Sequence, residues 1–178
     1  AFIAGCGLTF GRWVRQAPYL AQCGALAQTP HAARLAALPP REHYAAVELF
    51  RGNMLRHNVI VYRNDGPGAG KVPRFDEDAW LRYTPIRLPG TITVRDRLPP
   101  GAAAVLINQE HTDADLYLPV DATELRLVEA IDGQRTIAAI LARTAGRAAP
   151  TARLHKQARS LFARLWQWDQ VVFAAANR

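Results

Sequence analysis

Proline and glycine divide the middle of the chain into short segments. Their positions restrict the possible folds more than any other feature of the sequence. Pro89-Gly90 and Pro99-Pro100-Gly101 separate stretches that are rich in β-branched and apolar residues. Such stretches form short strands joined by turns. The chain has no regular alternation of strands and helices, so a doubly wound parallel sheet is not expected. The predicted strands are 83–88, 91–95, 103–108 and 116–118.

The first part of the chain is predicted to be mainly helical. Thr29-Pro30 is typical of an N-cap followed by proline in the first helical turn. Farther on, Val47, Phe50 and Met54 fall on one face of an amphipathic helix. The predicted helices are a last turn at 1–4, then 18–27, 31–38 and 41–55, and the predicted strands are 8–14 and 57–63.

Three helical patterns followed by a strand occupy the last third of the chain. Asp121 and Glu124 match a capping box, Thr136 suits the N-cap of a second helix, and Pro150 opens a third. A closing strand is predicted at 169–173. We therefore predict an α+β fold with a helical N-terminal half containing a few strands. Short β segments follow in the middle, and a winged-helix-like unit of three helices ends the chain.

The composition of the chain also predicts its division into domains. Residues 1–63 form the helical region, 64–82 a loop and linker, and 83–178 the β segments with the winged-helix-like domain. The glycine-rich run 66–71 lacks the spacing of a phosphate-binding loop, because Val72 stands where serine or threonine belongs and Pro73 blocks a helix start. We interpret this run as a surface turn.

The formal charge of +7 points to acidic partners in a general way, since the field of the whole protein attracts them. Only two of the 22 basic residues are lysine, and the abundance of alanine and arginine is explained as well by GC-rich codons. No apolar run is long enough to span a membrane, and no secretory signal is visible. Cys6 and Cys23 form no metal motif. These features predict a cytoplasmic protein with reduced thiols and no membrane partner.

No motif for a catalytic centre, a bound cofactor or a metal site is found in the sequence. Glu48, Arg51 and His57 are the first polar group to consider, because a histidine beside Arg56 could orient an anion. A histidine that satisfies a carbonyl at a helix end is the more common arrangement.

A second candidate is the acidic loop around His111. Together with Glu110, Asp113 and Asp115 it offers oxygen and nitrogen ligands for a divalent cation, which would make the chain a free-standing metal enzyme. A solvated acidic loop is the favoured interpretation.

The third C-terminal helix carries a basic stripe that includes Arg153, Lys156 and Arg159. In a DNA-binding winged helix the equivalent helix enters the major groove, and such a stripe would neutralise phosphates. Few asparagine or glutamine side chains are placed to read base edges. A solvated basic face is therefore favoured over nucleic-acid binding, which stays as the alternative function.

Several stretches together resemble the region that follows the catalytic core in a group of bacterial S-adenosylmethionine-dependent methyltransferases. The likeness covers nearly the whole chain, but none of the motifs is catalytic. The segment 131–136 also resembles the turn between two helices in the winged-helix D-type peptide chaperones of pyrroloquinoline quinone. The stretches are GLTFGRWVRQAPYL at 7–20, TPHAARL at 29–35, YAAVELFRG at 44–52, PIRLP at 85–89, LYLP at 116–119, AIDGQRTI at 130–137 and LWQWDQVVF at 165–173.

The resemblance implies a Rossmann-type core that binds S-adenosylmethionine and lies upstream of Ala1, in line with a chain that begins without methionine. This chain would then be a non-catalytic portion that recognises substrate or regulates the core, similar to a methyltransferase regulatory domain. The implied partners are that core and a methyl acceptor, which could be a protein, a peptide or a small molecule. A second copy of the chain also stays open as a partner.

Overall fold

A computed structural model describes residues 2–66, 72–147 and 149–174, and the chain divides into two compact units, 1–73 and 74–178. The predicted glycine-rich turn falls largely on 67–71, outside the described residues. The unit boundary lies within the segment predicted as linker, in which Asp78–Arg82 forms a 3₁₀ helix around the buried Trp80. The helices and antiparallel sheets make an α+β fold, as predicted.

The first unit is built on an antiparallel ribbon of two strands and on helix α3. Its elements are α1 (Phe2–Gly5), β1 (Leu8–Trp13), 3₁₀ helices at Ala17–Tyr19 and Gly24–Gln28, α2 (Ala32–Ala36), α3 (Pro40–Arg51) and β2 (Val59–Arg63). β1 and β2 pair from Leu8↔Arg63 to Trp13↔Val59, with a bulge between Phe10 and Arg12. Ala21, Leu26 and Val47 are fully buried and form the small core, against which Leu35 packs.

The prediction of one helix over 18–27 is wrong. Gly24 adopts a left-handed φ of +69°, and the extended backbone of Cys23 precedes it, so two short 3₁₀ helices form instead. Thr29 does not cap α2 either. Its hydroxyl donates back to the Leu26 carbonyl at 2.8 Å, and the helix begins at Ala32.

Helix α3 ends four residues earlier than its predicted end at Leu55. Gly52 takes a left-handed φ of +65° and donates its N–H to the Glu48 carbonyl, which is a glycine C-terminal cap. Met54 therefore lies beyond the helix, and Phe50 is 53% exposed, so the predicted apolar face is wrong except at the buried Val47.

The second unit contains two small antiparallel sheets and three helices. Its remaining elements are β3 (Thr84–Arg87), β4 (Thr91–Val94), β5 (Ala104–Asn108), β6 (Tyr117–Val120), α4 (Ala122–Glu129), α5 (Ile137–Ala145), α6 (Ala152–Gln167) and β7 (Val171–Ala174). One sheet has the order β4-β5-β6, and the other pairs β3 with β7 from Thr84↔Ala174 to Arg87↔Val171. The closing strand therefore pairs with the first strand of the unit.

The helices of this unit enclose its main core, and α4 and α5 form at the predicted caps. The third helix, predicted to open at Pro150, begins at Ala152 after the N-cap Thr151. The Asp121 side chain accepts from the backbone of Thr123 and Glu124 to complete the capping box, and Thr136 caps α5. The side chains that α4, α5 and α6 bury together are Leu127, Val128, Ile137, Ile140, Leu141, Ala158, Leu161, Phe162 and Leu165. None of the helices in the described ranges combines the length and the apolar character that crossing a bilayer requires.

Candidate functional site

The structure brings two members of the predicted polar group in the first unit together. His57 Nε2 lies 3.4 Å from Oε1 of Glu48, and its Nδ1 lies 2.6 Å from the Tyr19 hydroxyl. Arg51 has another role: its Nε donates to the Pro18 carbonyl at 2.8 Å and so ties α3 to the Ala17–Tyr19 turn.

Aromatic rings surround this hydrogen-bonded chain. Trp13 stacks on Tyr19 with centroids 4.0 Å apart and planes 7° from parallel, and Tyr44 meets the Trp13 ring edge-on at 5.7 Å. Burial raises the pKa of Tyr19, and the nearby Glu48 carboxylate adds to the rise. The Tyr19 hydroxyl therefore stays protonated and forms a hydrogen bond with Nδ1 of His57. Because Tyr19 is only 5% exposed, this arrangement stabilises the turn and does not present a reactive hydroxyl to a substrate.

The basic stripe on α6 faces away from the core. Arg153, Lys156 and Arg159 are exposed, whereas the buried residues Ala158, Leu161 and Leu165 lie on the opposite side of the helix. Arg159 is engaged within the unit, since its Nε donates to the Phe75 carbonyl. Arg153 and Lys156 are the exposed cations of this stripe that are placed to contact a phosphate.

The second unit contains a cavity of about 580 Å³ beside the β4-β5-β6 sheet. Its walls come from the end of β4, the loop after it, β5, and the loop that leads to β6. A volume of this size is in the range of small-molecule sites, which lie in apolar clefts with a few polar groups. The apolar lining residues are Val94, Leu98, Pro99, Val105, Ile107, Ala114, Leu116 and Tyr117.

His111 lines this cavity and pairs with a carboxylate far away in the sequence. Its Nε2 lies 3.1 Å from Oδ2 of Asp169, and the two side chains are only 2% and 1% exposed. Asp169 belongs to the turn between α6 and β7, where it holds a left-handed φ of +53°. Few residues other than glycine adopt that conformation, although aspartate and asparagine do so more readily than most.

Asn108, at the end of β5, holds the same turn from the other side. Its Nδ2 donates to the Asp169 carbonyl at 2.6 Å, and its Oδ1 accepts the backbone N–H of Glu110 at 3.0 Å. Asn108 also lines the cavity and is 3% exposed. One polar cluster, made of Asn108, His111 and Asp169, therefore joins the cavity wall to the strained turn.

The carboxylate determines which nitrogen of His111 carries the proton. An ionised carboxylate can only accept, so the hydrogen of this bond is on Nε2 of His111. Nδ1 is buried, and no hydrogen-bond partner for it is found among the residues that the structure describes. Buried polar atoms are normally hydrogen-bonded, so this nitrogen is an exception within the cluster.

The metal interpretation of the His111 loop gains no support from the geometry. Within the described part of the chain, no three histidine, cysteine, aspartate or glutamate side chains converge to hold a metal ion. The imidazole turns to Asp169 instead. Asp169 is not recognisable as part of this cluster from the sequence, because it lies 58 positions from His111 and no spacing rule connects the two residues.

The turn that carries the resemblance to peptide chaperones is locally well ordered. Oδ1 of Asp132 accepts the backbone N–H groups of Arg135 and Gln134 at 2.9 and 3.0 Å, and these bonds hold the pKa of Asp132 below its usual value. Gly133 occupies the left-handed region at φ +76°. The link between α4 and α5 therefore uses both residues of its Asp-Gly pair, the aspartate as an acceptor for backbone N–H groups and the glycine for its left-handed backbone.

No protein-family model matches this chain, and no curated protein matches it either.

Proposed function

We propose that this chain is the non-catalytic, substrate-recognising or regulatory portion of a bacterial S-adenosylmethionine-dependent methyltransferase, whose Rossmann-type core lies upstream. The sheet topology carries the proposal, because all four strand pairings among the described residues are antiparallel. Doubly wound cores bind nucleotides at the carboxyl edge of a parallel sheet, so the described fold is suited to supplying contacts to such a core.

The cavity in the second unit supplies a place for those contacts. An appended domain that holds the acceptor fixes its orientation, so that binding energy is used to position the reacting atom. A lining of eight apolar residues with a few polar groups suits a small acceptor or a single peptide side chain. We place this activity in the cytoplasm, where the exposed thiol of Cys6 stays reduced.

Isothermal titration of the chain with S-adenosylmethionine tests whether this chain is the non-catalytic portion. We expect no heat of binding, whereas an intact methyltransferase of this class, titrated alongside, binds the same ligand. Micromolar binding by this chain alone would overturn the proposal.

The genomic sequence upstream of Ala1 tests whether a methyltransferase core precedes this chain. We expect a strand followed by a glycine-rich turn and a helix, which is the pattern of a nucleotide-binding core. A reading frame that starts at or just before this alanine would contradict it.

Nucleic-acid binding is the second candidate, and the exposed Arg153 and Lys156 favour it. It predicts that duplex DNA is shifted in a gel at low salt and released steeply as salt rises. A variant with Arg153→Gln and Lys156→Gln would then lose the shift, while Arg143→Gln, an exposed position on α5, would keep it. The absence of a shift at low salt would dismiss this candidate.

A further inference from the structure

We propose that the cavity of the second unit binds an uncharged molecule with an aromatic or branched aliphatic body, on the outer face of the β4-β5-β6 sheet. The inference rests on the proposed function in one respect only, namely that this molecule is the methyl acceptor or its apolar part. The binding itself is a property of the cavity and can be tested on the chain alone.

The outer face of this sheet is apolar on all three strands. Residues that stand directly opposite each other in an antiparallel sheet share a face, and successive residues along a strand point to opposite faces. Ala104 and Leu106 of β5 are buried on the inner face, so Val105 and Ile107 lie on the outer one. The register completes two rows across the sheet, with Ile92, Ile107 and Tyr117 in one row and Val94, Val105 and Pro119 in the other.

A sheet face in contact with water normally carries polar side chains, because such strands alternate between residues for the core and residues for solvent. Here Ile92 and Tyr117 are 37% and 45% exposed on an apolar face. The loops after β4 and before β6 add Leu98, Pro99 and Leu116 to the walls, so that part of this face lines a cavity of about 580 Å³. A small apolar molecule bound there is stabilised in proportion to the apolar area that it covers.

The charges of the cavity wall are already balanced within the protein. Oδ1 of Asp96 accepts the backbone N–H of Arg97 at 3.0 Å, and its Oδ2 lies 3.8 Å from Nε of Arg97. The two side chains are 89% and 94% exposed, so this pair of opposite charges lies at the rim. Asp113 has an interaction of its own as well. A charged ligand would therefore lose its hydration in the cavity without gaining an ionic partner there, which is costly.

The buried polar residues of the wall are also bonded to the protein. The Asn108 amide donates to the Asp169 carbonyl and accepts the N–H of Glu110, and His111 pairs with Asp169. The His111 side chain is only 2% exposed, so its ring holds the turn before β7 and adds no polar surface for a ligand. Apolar contact is left as the main means of recognition, and this defines the class of ligand as uncharged.

Three probes of nearly the same shape test this assignment. At neutral pH benzyl alcohol is uncharged, benzylamine is a cation and benzoate is an anion. We would titrate each into the full chain and follow the methyl signals of Val94, Val105 and Ile107 by NMR. Benzyl alcohol is expected to bind in the millimolar range, as befits a ligand of its size, and at least about tenfold more tightly than either ion. Equal binding of the three probes, tighter binding of an ion, no binding of benzyl alcohol, or shifts confined to other residues would overturn the proposal.

Tyr117→Asp tests the position of the site. The substitution places a carboxylate on the apolar face at an exposed position of β6, so the affinity for benzyl alcohol should fall by at least about fivefold. Ile86→Asp is the matched control, because Ile86 is a strand residue of the same unit that is 38% exposed and does not line the cavity. It should leave the affinity unchanged, and equal losses in the two variants would overturn the assignment to this face.

A second copy of the chain is the alternative occupant of an apolar sheet face. In that case the methyl signals of Ile92 and Ile107 would move as the protein concentration rises and benzyl alcohol would not bind, which would overturn the proposal. Where a variant fails to fold, the three titrations of the unaltered chain decide. The two proposals also fail separately, because a failed titration with benzyl alcohol leaves the absence of S-adenosylmethionine binding untouched, and S-adenosylmethionine binding would leave the selectivity for the uncharged probe in place.

Discussion

His43 lies on α3 with its Nε2 accepting the backbone N–H of Ala21 at 3.1 Å. Burial lowers the pKa of His43 below 6.5, by more than the neighbouring carbonyls of Tyr19 and Leu35 raise it. Only a neutral imidazole can accept this hydrogen bond. The protonation state of one side chain is therefore coupled to the packing of α3 against the segment that precedes it.

This coupling predicts a loss of stability in mild acid. Between the lowered folded pKa and the unfolded value of 6.5, the unfolded chain binds more protons than the folded chain. The free energy of unfolding should therefore be at its full value above pH 6.5 and fall as the pH drops from there toward the folded pKa. Urea unfolding of the first unit, followed by Trp13 fluorescence on both sides of this pH, measures the effect.

The control for this prediction is His43→Gln, in which an amide oxygen can accept the same N–H without titrating. It should flatten the pH dependence, whereas His31→Gln should keep it. An unchanged pH dependence in His43→Gln would show that another group is responsible.

A second residue-scale prediction concerns the hydrogen bond between Tyr19 and His57. Tyr19→Phe removes a hydroxyl that lies 2.6 Å from Nδ1 and leaves the stacked ring in place. We expect the free energy of unfolding to fall by about 1 kcal/mol, the net contribution of one such bond. Tyr62→Phe, at a half-buried tyrosine on β2 of the same unit, should change it far less. Equal losses in the two variants would contradict a specific role for the bond.

The sequence indicates the pairing of Glu48 with His57 but gives no sign of the pairing of Asp169 with His111. Glu48 and His57 belong to neighbouring elements, so local patterns bring them into consideration together. Asp169 reaches His111 only after α4, α5 and α6 have packed and β7 has paired with β3. Its role depends on tertiary structure and on a left-handed backbone, neither of which its neighbours in the sequence indicate.

At the scale of the element, helix caps explain why some segments were predicted well. Asp121 with Glu124 satisfies orphan N–H groups locally, and α4 forms as expected. The segment 18–27 was predicted wrongly because its alanines favour a helix, whereas Gly24 imposes a left-handed turn. Local hydrogen bonds can be recognised in a sequence, but the backbone conformation that tertiary packing selects cannot.

The capping box of α4 gives a prediction at this scale. Asp121→Ala removes the acceptor of two backbone N–H groups, at 2.8 Å from Thr123 and 2.9 Å from Glu124, and also the partner of Gln157. The free energy of unfolding of the second unit should fall by about 1 to 2 kcal/mol. Chemical denaturation measures the change, and Asp121→Asn is the matched control, since asparagine caps helices nearly as well. A loss of the same size in the control would point to the charge and away from the cap.

At the scale of the whole molecule, the chain consists of two units that each have a core of their own. The core of the second unit is much the larger, with helices α4, α5 and α6 burying leucine, isoleucine and phenylalanine side chains against one another. A core of this kind is what an independently folding domain requires.

We therefore expect residues 74–178 to fold when expressed alone. Its amide NMR spectrum should overlay on the corresponding signals of the full chain. A collapsed spectrum with poor dispersion would show that the second unit depends on the first.

The pairing of β3 with β7 has a consequence for engineering. Since Thr84 stands directly opposite Ala174, the entry and exit of this module are neighbours on a single ribbon. A short linker could join them, and new termini could then be opened in the turn at Gly146, which would give a circularly permuted version with an intact cavity. For the same reason the module could be spliced as a cassette into a surface loop of an unrelated host, without forcing the host's chain apart.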